Sequence, residues 1–168
     1  MTTAPSTYEA AREKYRPRHV DVLFVAEAPP ADITRSFYFE DVRKHDALFW
    51  EMMKVVADAP RIERSRKAEY LRRFEAAGYF LIDTAELPLR SGIDKRKQLR
   101  ESLGNLVERA HTICEPSTRI ILICRTVYDV CLEPLKNAGL NVINTQFVPH
   151  PAFGHASKFR DKLKRLLQ

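Results

Sequence analysis

The chain has 168 residues, 45% of them hydrophobic, enough to bury a core, and we expect a single domain over residues 1–168. Lys and Arg number 28 against 22 Asp and Glu, and the formal net charge of +6 favours a polyanionic partner. The N-terminal segment lacks the apolar core of a secretion signal, and no stretch is apolar enough to span a bilayer. We therefore expect a cytoplasmic protein without membrane contact. The three cysteines show no C-x-x-C spacing, which argues against a disulfide framework or a metal site: Cys114, Cys124 and Cys131.

The first predicted elements are a short helix and a buried strand. Ser6 and Glu9 have the spacing of a capping box, which predicts a helix from about Thr7 to Tyr15 on the outside of the domain. The apolar run from Val20 to Ala26 predicts a strand that ends at Glu27. Ligands of open parallel sheets bind outside the carboxyl ends of the strands, so Glu27 is a candidate functional carboxylate. A solvated turn glutamate is the alternative interpretation.

Aromatic residues and two helices follow this strand. An extended piece would place Phe37 and Phe39 on one side, although core packing is the default interpretation. Asp46 predicts the N-terminal cap of a helix with an apolar face. A second helix is predicted over Ile62–Gly78, and its exterior carries five basic residues: Arg64, Arg66, Lys67, Arg72 and Arg73.

A second acidic residue follows the next predicted strand. Tyr79–Ile82 predicts a strand that ends at Asp83, again at the carboxyl edge of the sheet. A long amphipathic helix is then predicted over Lys95–Ile113, and it begins with Lys95, Arg96, Lys97 and Arg100. Positive charge at a helix N-terminus opposes the macrodipole, which favours anion binding over a purely structural role.

The last third of the chain predicts two more strands. Arg119–Cys124 predicts the third strand, followed by a helix that Thr126 and Asp129 cap and Pro134 interrupts. Val142–Val148 predicts the fourth strand.

The alternation of strands and helices predicts a three-layer α/β/α sandwich with a mostly parallel four-stranded sheet and right-handed crossovers. All four strand ends then meet at one edge, together with Glu27, Asp83 and His150. Neither G-x-G-x-x-G nor G-x-x-x-x-G-K-[ST] is present, so no ordinary nucleotide-binding loop is predicted. A final helix carries Lys158 and Arg160 on a basic outer face.

Two pieces of the chain resemble motifs of the uracil-DNA glycosylase superfamily. Ala26-Glu27-Ala28-Pro29-Pro30, followed by the aromatic patch, resembles the first motif in its Gly-Glu-Ala-Pro-Gly form. His150-Pro151-Ala152 resembles the second motif, His-Pro-Ser, and FLIDTAELPL falls where the family has a strand ending in a base-reading asparagine. The resemblance covers roughly residues 20–167. It implies a uracil-DNA glycosylase-like fold and a hydrolase for DNA repair by base excision, cleaving the N-glycosidic bond of a flipped-out damaged or deaminated base, uracil or another.

The chain also departs from the family pattern. Ala26 and Pro30 replace the two glycines of the first motif, and Asp83 stands where the family has asparagine. An ionised carboxylate only accepts hydrogen bonds and would repel O4 of uracil, whereas a protonated Asp83 can both donate and accept. The iron–sulfur cysteines of some members are missing, and we expect no cofactor and no metal.

The resemblance implies catalytic roles for Glu27, Asp83 and His150. His150 would stabilise the departing base by donating a hydrogen bond, and Glu27 would orient water, stabilise the cationic sugar or contact the base. Ala28 lies where other branches place a water-activating side chain. Phe39 is the first candidate for stacking on the base and Phe37 the second, and Ala28 and Asp83 complete the predicted base-binding set.

The predicted DNA contacts lie in the last loop and on basic helix faces. Phe153 is a candidate wedge for the space that a flipped base leaves, and His155 a candidate phosphate contact. The basic helix starts over Lys95–Arg100 and Lys158–Arg165 would bind the DNA backbone and make binding depend on salt, with four residues as the named contacts: Lys95, Arg96, Lys158 and Arg160. Anchoring of the loop and ordinary solvation of the helix faces are the alternative interpretations.

Two other functions fit the sequence. A degenerate relative that binds nucleic acid without chemistry is consistent with Ala26, Ala28, Pro30 and Asp83. An α/β domain that binds a small nucleotide or another anion is the third hypothesis. The sequence leaves open whether the DNA is single- or double-stranded, and we expect a monomer because no heptad seam is present.

Overall fold

A computed structural model describes residues 6–41 and 44–168. The prediction that the N-terminal segment is not a secretion signal concerns in part residues 1–5, which lie outside the described ranges. Within these ranges no helix has the length and apolar character needed to cross a membrane. Two short 3-10 segments, Ile33–Arg35 and Arg64–Arg66, accompany the main elements. In chain order these are α1 (Thr7–Glu13), β1 (Val22–Ala26), α2 (Ala47–Val56), α3 (Lys67–Ala76), β2 (Tyr79–Asp83), α4 (Lys95–Glu101), α5 (Leu103–Ile113), β3 (Arg119–Leu122), α6 (Arg125–Asn137) and α7 (Ala156–Leu167).

The three strands form one parallel sheet with the order β2-β1-β3. β1 lies in the centre, and all five of its residues are apolar and buried, as its continuous apolar run predicts. In the register of the sheet, Val22 is opposite both Tyr79 and Arg119, and Ala26 is opposite Asp83. The predicted α/β class with a parallel sheet is confirmed, and the carboxyl ends of the three strands share one edge.

The fourth predicted strand does not form. The backbone from Val142 to Val148 pairs with its neighbour through two isolated parallel bridges, Ile120 of β3 with Val142 and, just after β3, Ile123 with Val148. Between them the side chain of Asn144 occupies the place of a backbone ladder: its Oδ1 accepts from the Leu122 N–H over 3.1 Å, and its Nδ2 donates to the Leu122 carbonyl over 2.9 Å. The Asn144 side chain thus pairs the N–H and the carbonyl of Leu122, the groups that a neighbouring strand would pair. A continuous backbone ladder is therefore not required at this edge of β3.

The helices contact one another in two groups. α2 contacts α3 and α7, whereas α4 contacts α5 and α6, and α5 also contacts α6. The connection from β1 to β2 and the connection from β2 to β3 cross the sheet in opposite directions. Right-handed crossovers of opposite direction place their helices on opposite faces of a sheet, which accounts for the two groups.

The first helix is more deeply buried than predicted. Its cap is as expected, because the Ser6 side chain accepts from the Glu9 N–H over 3.1 Å. However, Arg12 and the following Tyr15 are buried, and the Tyr15 ring stacks on Tyr38 with 6.2 Å between centroids. α1 therefore contributes to the domain interior near the carboxyl edge of the sheet.

The helix predicted over Lys95–Ile113 is in fact two helices that meet at Ser102. The Ser102 hydroxyl donates to the Gln98 carbonyl over 3.0 Å, and Gly104 follows two residues later. A serine that bonds back to the preceding turn and a nearby glycine both weaken a continuous helix, so the break falls at this position.

The start of α6 also differs from the prediction. Thr126 and Asp129 do not cap this helix; its N-terminal cap position is Cys124, which makes no side-chain capping bond. Thr126 and Asp129 bind Glu27 and Arg96 instead. Pro134 does not interrupt the helix: it lies inside α6, which continues to Asn137.

Lys67 is buried, not exterior as predicted. Only 1% of the residue is exposed, its Nζ donates to the Ser36 carbonyl over 2.9 Å, and the same atom lies 4.6 Å from the centroid of the Phe49 ring. Burial lowers the pKa of Lys67 to about 8, although the nearby Asp46 carboxylate acts in the opposite direction. The helical pattern did not reveal that this long side chain reaches from α3 to the turn at Ser36.

Candidate active site

Two cavities open at the carboxyl edge of the sheet, and they meet at one loop. The first, cavity A, has a volume of about 460 Å³, and its walls include Arg12, Pro30, Phe37, Tyr38, Asp46 and Asp83. The second, cavity B, has a volume of about 950 Å³, and its walls include Glu27, Lys95, Cys124, Arg125, Thr126 and Lys158. His150, Ala152 and Phe153 line both. The loop that carries His150 is therefore the junction of the two cavities.

Asp83 lies at the end of β2 in cavity A. Burial raises its pKa to about 7, while the positive charges of Arg12 and Arg109 act in the opposite direction. Arg109 also fixes the backbone at this point, because its Nη2 donates to the carbonyls of Asp83 and Thr84, each over 2.9 Å. Near neutral pH the Asp83 carboxyl therefore exists in both its protonated and its ionised form, and it can donate as well as accept.

The aromatic patch is a turn and not an extended piece. The Phe39 N–H donates to the Ser36 carbonyl over 3.1 Å, which bends the chain at Phe37 and Tyr38. Phe37 lines cavity A, but it is buried and packs on Phe49 and Phe74 at 5.4 Å between centroids. Phe39 is half-buried and lines neither cavity. The first-choice stacking residue is thus not brought to the site.

Tyr38 takes a position that the sequence pattern did not indicate. Its hydroxyl donates to the Leu81 carbonyl over 3.0 Å and accepts from the Leu81 N–H over 2.7 Å. It thereby satisfies the free edge of β2, as a neighbouring strand would. This pair of bonds holds the aromatic turn against β2, two residues before Asp83.

Glu27 lies in cavity B, apart from Asp83. One carboxylate oxygen accepts from the Thr126 hydroxyl over 3.0 Å and from the Cys124 thiol over 3.7 Å. The other forms an ion pair with Lys95 Nζ at 3.3 Å. Glu27 does not line cavity A, so the two carboxyl groups face different spaces although they follow adjacent strands. Ala28 packs against the core and lines neither cavity.

Cys124 has a strained backbone beside Glu27. Its φ of 73° and ψ of 155° fall in a region that glycine alone adopts readily, at a cost of about 1–3 kcal/mol for other residues. Its N–H donates to the Val148 carbonyl over 2.7 Å, which ties the strained position to the loop before His150. Burial raises the pKa of the Cys124 thiol, so this group remains protonated and donates to Glu27.

His150 is held in one tautomer. The Ala152 N–H donates to its Nδ1 over 3.2 Å, so the ring proton of the neutral imidazole is on Nε2. Partial desolvation of the ring lowers the pKa of His150, an effect that Glu27 opposes and Lys95 increases. At neutral pH the ring is therefore a neutral hydrogen-bond donor through Nε2 at the junction of the cavities.

The loop after His150 presents an exposed aromatic ring. Phe153 is fully exposed, its φ is +56°, and it lines both cavities. This apolar side chain therefore lies in water and not against the core. His155 follows on the wall of cavity B.

Only half of the predicted backbone-binding cations line a cavity. Lys95 and Lys158 are on the wall of cavity B, and Lys95 is paired with Glu27. Arg96 and Arg160 line neither cavity and are used in ion pairs, Arg96 with Asp129 at 2.9 Å and Arg160 with Glu51. Three further basic residues line cavity B: Lys162 and Arg165, which belong to the predicted basic face of the last helix, and Arg125, which was not predicted.

Sequence reasoning missed Arg12 and Thr126 as site residues. A signal for Arg12 exists in the spacing of Tyr8, Arg12 and Tyr15, which places all three on one face of the first helix. No comparable signal marks Thr126, because its partner Glu27 is 99 residues away in the chain. Only the folded chain brings them together.

Comparisons with protein-family models, with curated proteins and with solved structures found no match. In the described part of the chain, no group of three or more His, Cys, Asp or Glu side chains has the geometry to hold a metal ion.

Proposed function

We propose that the protein is a DNA glycosylase: it hydrolyses the N-glycosidic bond of a damaged or deaminated base that is flipped out of DNA. The observation that carries this proposal is the position of His150, which lines both the cavity that contains Asp83 and the basic cavity that contains Glu27. In this arrangement the base enters cavity A, the sugar lies at the junction, and the phosphates lie along cavity B. The fold we propose is the three-layer, uracil-DNA glycosylase-like sandwich.

The base departs first. The glycosidic bond breaks, both of its electrons remain on the base nitrogen, and the base becomes an anion. His150 stabilises this anion by donating from Nε2, and the Ala152 N–H at Nδ1 keeps the donor in place before the reaction begins. A neutral imidazole performs this role without transferring its proton.

Water then completes the hydrolysis. The sugar left behind is cationic at the carbon that held the base, and a water molecule adds to it. Glu27 orients this water and accepts its proton, while Thr126 and Lys95 position the carboxylate. The product is an abasic site.

The test is alkali-induced strand cleavage on single- and double-stranded oligonucleotides that carry uracil, hypoxanthine, xanthine, or alkylated or oxidised bases. We expect abasic sites on at least one substrate, and we expect them to disappear in His150→Ala. His111→Ala is the matched control because His111 is exposed on α5 and lines neither cavity. Absence of product on every substrate would contradict the proposal.

Binding without chemistry is the second candidate. It is favoured by one observation: both oxygens of Glu27 already have partners, Thr126 on one and Lys95 on the other. In addition, Ala28 supplies no polar group to either cavity. Under this function the protein binds DNA in a salt-dependent manner, and no abasic sites form with the wild type.

A further inference from the structure

Arg12 is a buried cation on the wall of cavity A. Only 6% of the residue is exposed, and its charge acts on the Asp83 carboxyl, whose pKa it lowers. No hydrogen bond or ion pair within 4 Å joins its guanidinium to another of the described residues. Buried charges in proteins are ordinarily paired, because removal from water is costly. Arg12 lines cavity A, so an acceptor for its N–H groups can come from a molecule in that cavity.

The helix that carries Arg12 is anchored at both ends. The Tyr8 hydroxyl, one turn earlier in α1, donates to the Pro30 carbonyl over 2.8 Å. At the other end of the helix, Tyr15 stacks on Tyr38. These contacts attach α1 to both sides of cavity A, so the backbone that carries Arg12 is ordered before a ligand binds.

Cavity A offers Arg12 and Asp83 to a ligand, in addition to the His150 donor at its junction with cavity B. The hydroxyls of Tyr8 and Tyr38 bind backbone carbonyls and are not available. Arg12 presents a planar fork of donors, and Asp83 presents a carboxyl whose pKa Arg12 lowers through its charge. A complementary ligand therefore has two adjacent acceptors beside one N–H donor.

An oxopurine base has this sequence of groups along one edge: N7 and O6 accept, and N1–H donates. Arginine binds O6 and N7 together through two parallel hydrogen bonds. Uracil offers O4 beside N3–H but no second acceptor next to O4, so it satisfies half of the fork. The volume of about 460 Å³ lies within the range of sites for small molecules.

We propose that Arg12 reads the O6 and N7 edge of an oxopurine base in cavity A, with Asp83 accepting from N1–H, and that the protein thereby prefers hypoxanthine to uracil. This inference rests on the proposed function, in which the flipped base enters cavity A. It assigns a specificity-determining residue to α1, which precedes the part of the chain that resembles the glycosylase motifs.

The first test uses free bases, which the reaction cannot consume, in calorimetric titrations of the full chain. We expect hypoxanthine to bind about 5- to 150-fold more tightly than 7-deazahypoxanthine, which lacks only the N7 acceptor, and more tightly than uracil. This comparison changes the ligand and so does not depend on how a variant folds. Equal affinity for hypoxanthine and its 7-deaza analogue, or no binding of either, would overturn the proposal.

The second test uses Arg12→Lys, which keeps the charge and removes the fork. We expect this variant to lose the discrimination between hypoxanthine and the 7-deaza analogue. Arg35→Lys is the matched control, since Arg35 lines the same cavity but is exposed, and it should keep that discrimination. Discrimination that survives in Arg12→Lys would assign the N7 contact to another group and reject Arg12.

Oligonucleotides separate this inference from the proposed function. If abasic sites form at deoxyuridine in preference to deoxyinosine, the proposed glycosylase activity is supported and the role of Arg12 in base recognition is rejected. Binding of hypoxanthine that depends on N7 and Arg12, without abasic sites on any substrate, would keep the base-reading role and reject the hydrolysis.

Discussion

The Ala152 N–H donates to Nδ1 of His150 over 3.2 Å, and this one hydrogen bond determines which ring nitrogen faces the ligand. Because Nδ1 accepts, Nε2 carries the proton and is the donor at the junction of cavities A and B. A contact between two residues of one loop thus determines that the candidate active site has a hydrogen-bond donor at this junction.

The first prediction concerns His150. Replacement by Ala should lower the single-turnover rate of abasic-site formation by about 10²- to 10³-fold, as expected when one donor to a developing anion is removed. The urea midpoint should change little because His150 is exposed. Rapid-quench measurements with excess enzyme test the rate, with His111→Ala as the control; an unchanged rate in His150→Ala would remove this residue from the mechanism.

The second prediction concerns the pH dependence of stability at Asp83. Burial raises its pKa to about 7 from the ordinary 3.8, so between these values the folded protein binds more protons than the unfolded chain. The contribution of Asp83 to the free energy of unfolding is therefore largest at acid pH and falls as pH rises through this window.

Asp83→Asn should remove this decrease in the free energy of unfolding with rising pH, because an amide does not ionise. The variant should gain stability relative to wild type between about pH 4 and about pH 8, by at most on the order of 4 kcal/mol. Urea unfolding at both pH values tests this, with the exposed Asp161→Asn as the control. A difference between variant and wild type that does not change with pH would show that the carboxyl is ionised throughout.

The third prediction compares two carboxylates that each bind two cations. Glu51 is buried and binds Lys54 and Arg160, whereas Glu69 is exposed and binds Arg66 and Arg73. Glu51→Gln should lower the free energy of unfolding by about 1–3 kcal/mol, and Glu69→Gln by less than about 1 kcal/mol. Equal losses in urea unfolding would contradict the larger contribution that we predict for the buried ion pair of Glu51 with Arg160, which joins α2 to α7.

The fourth prediction concerns Asn144 beside β3. Asn144→Leu leaves the N–H and carbonyl of Leu122 without partners, which should lower the free energy of unfolding by roughly 2–5 kcal/mol. Amide hydrogen exchange at Leu122 should accelerate as well. The exposed Asn141→Ala should have a small effect on both measurements. Unchanged exchange in Asn144→Leu would mean that the side chain does not protect this edge.

The fifth prediction separates cations on cavity B from cations in ion pairs. Lys158→Ala should weaken DNA binding and reduce the dependence of log K on log salt by about 0.7–0.9, the value for one phosphate contact. Arg96→Ala should leave this dependence nearly unchanged, because Arg96 binds Asp129 and lines neither cavity. Fluorescence anisotropy at several salt concentrations measures the salt dependence of both variants. A larger effect of Arg96→Ala than of Lys158→Ala would show that Arg96, and not Lys158, contacts a phosphate.

Features that depend on neighbours in the chain were predictable. The buried strand β1 follows from a continuous apolar run, and the caps at Ser6 and Asp46 follow from the spacing of a polar side chain and a helix start. The acids Glu27 and Asp83 could be placed at one edge because parallel strands share the direction of their carboxyl ends.

Features that depend on contacts between distant residues were not predictable. The fourth strand does not form because the Asn144 side chain accepts the hydrogen bond of the Leu122 N–H. Lys67 is buried because its amine donates to the carbonyl of Ser36, 31 residues earlier in the chain. Likewise, the division of Glu27 and Asp83 between two cavities depends on which side chains surround each strand end.

The sequence by itself determined the α/β class, the parallel strands β1 to β3 and the edge where the candidate site lies, because periodicity and capping are properties of short segments. The tertiary structure alone decided that Arg12 lines cavity A with Asp83 and that His150 joins the two cavities. These features arise when the first helix and the last loop pack at one sheet edge, and no local pattern encodes the distance between segments that are more than 100 residues apart.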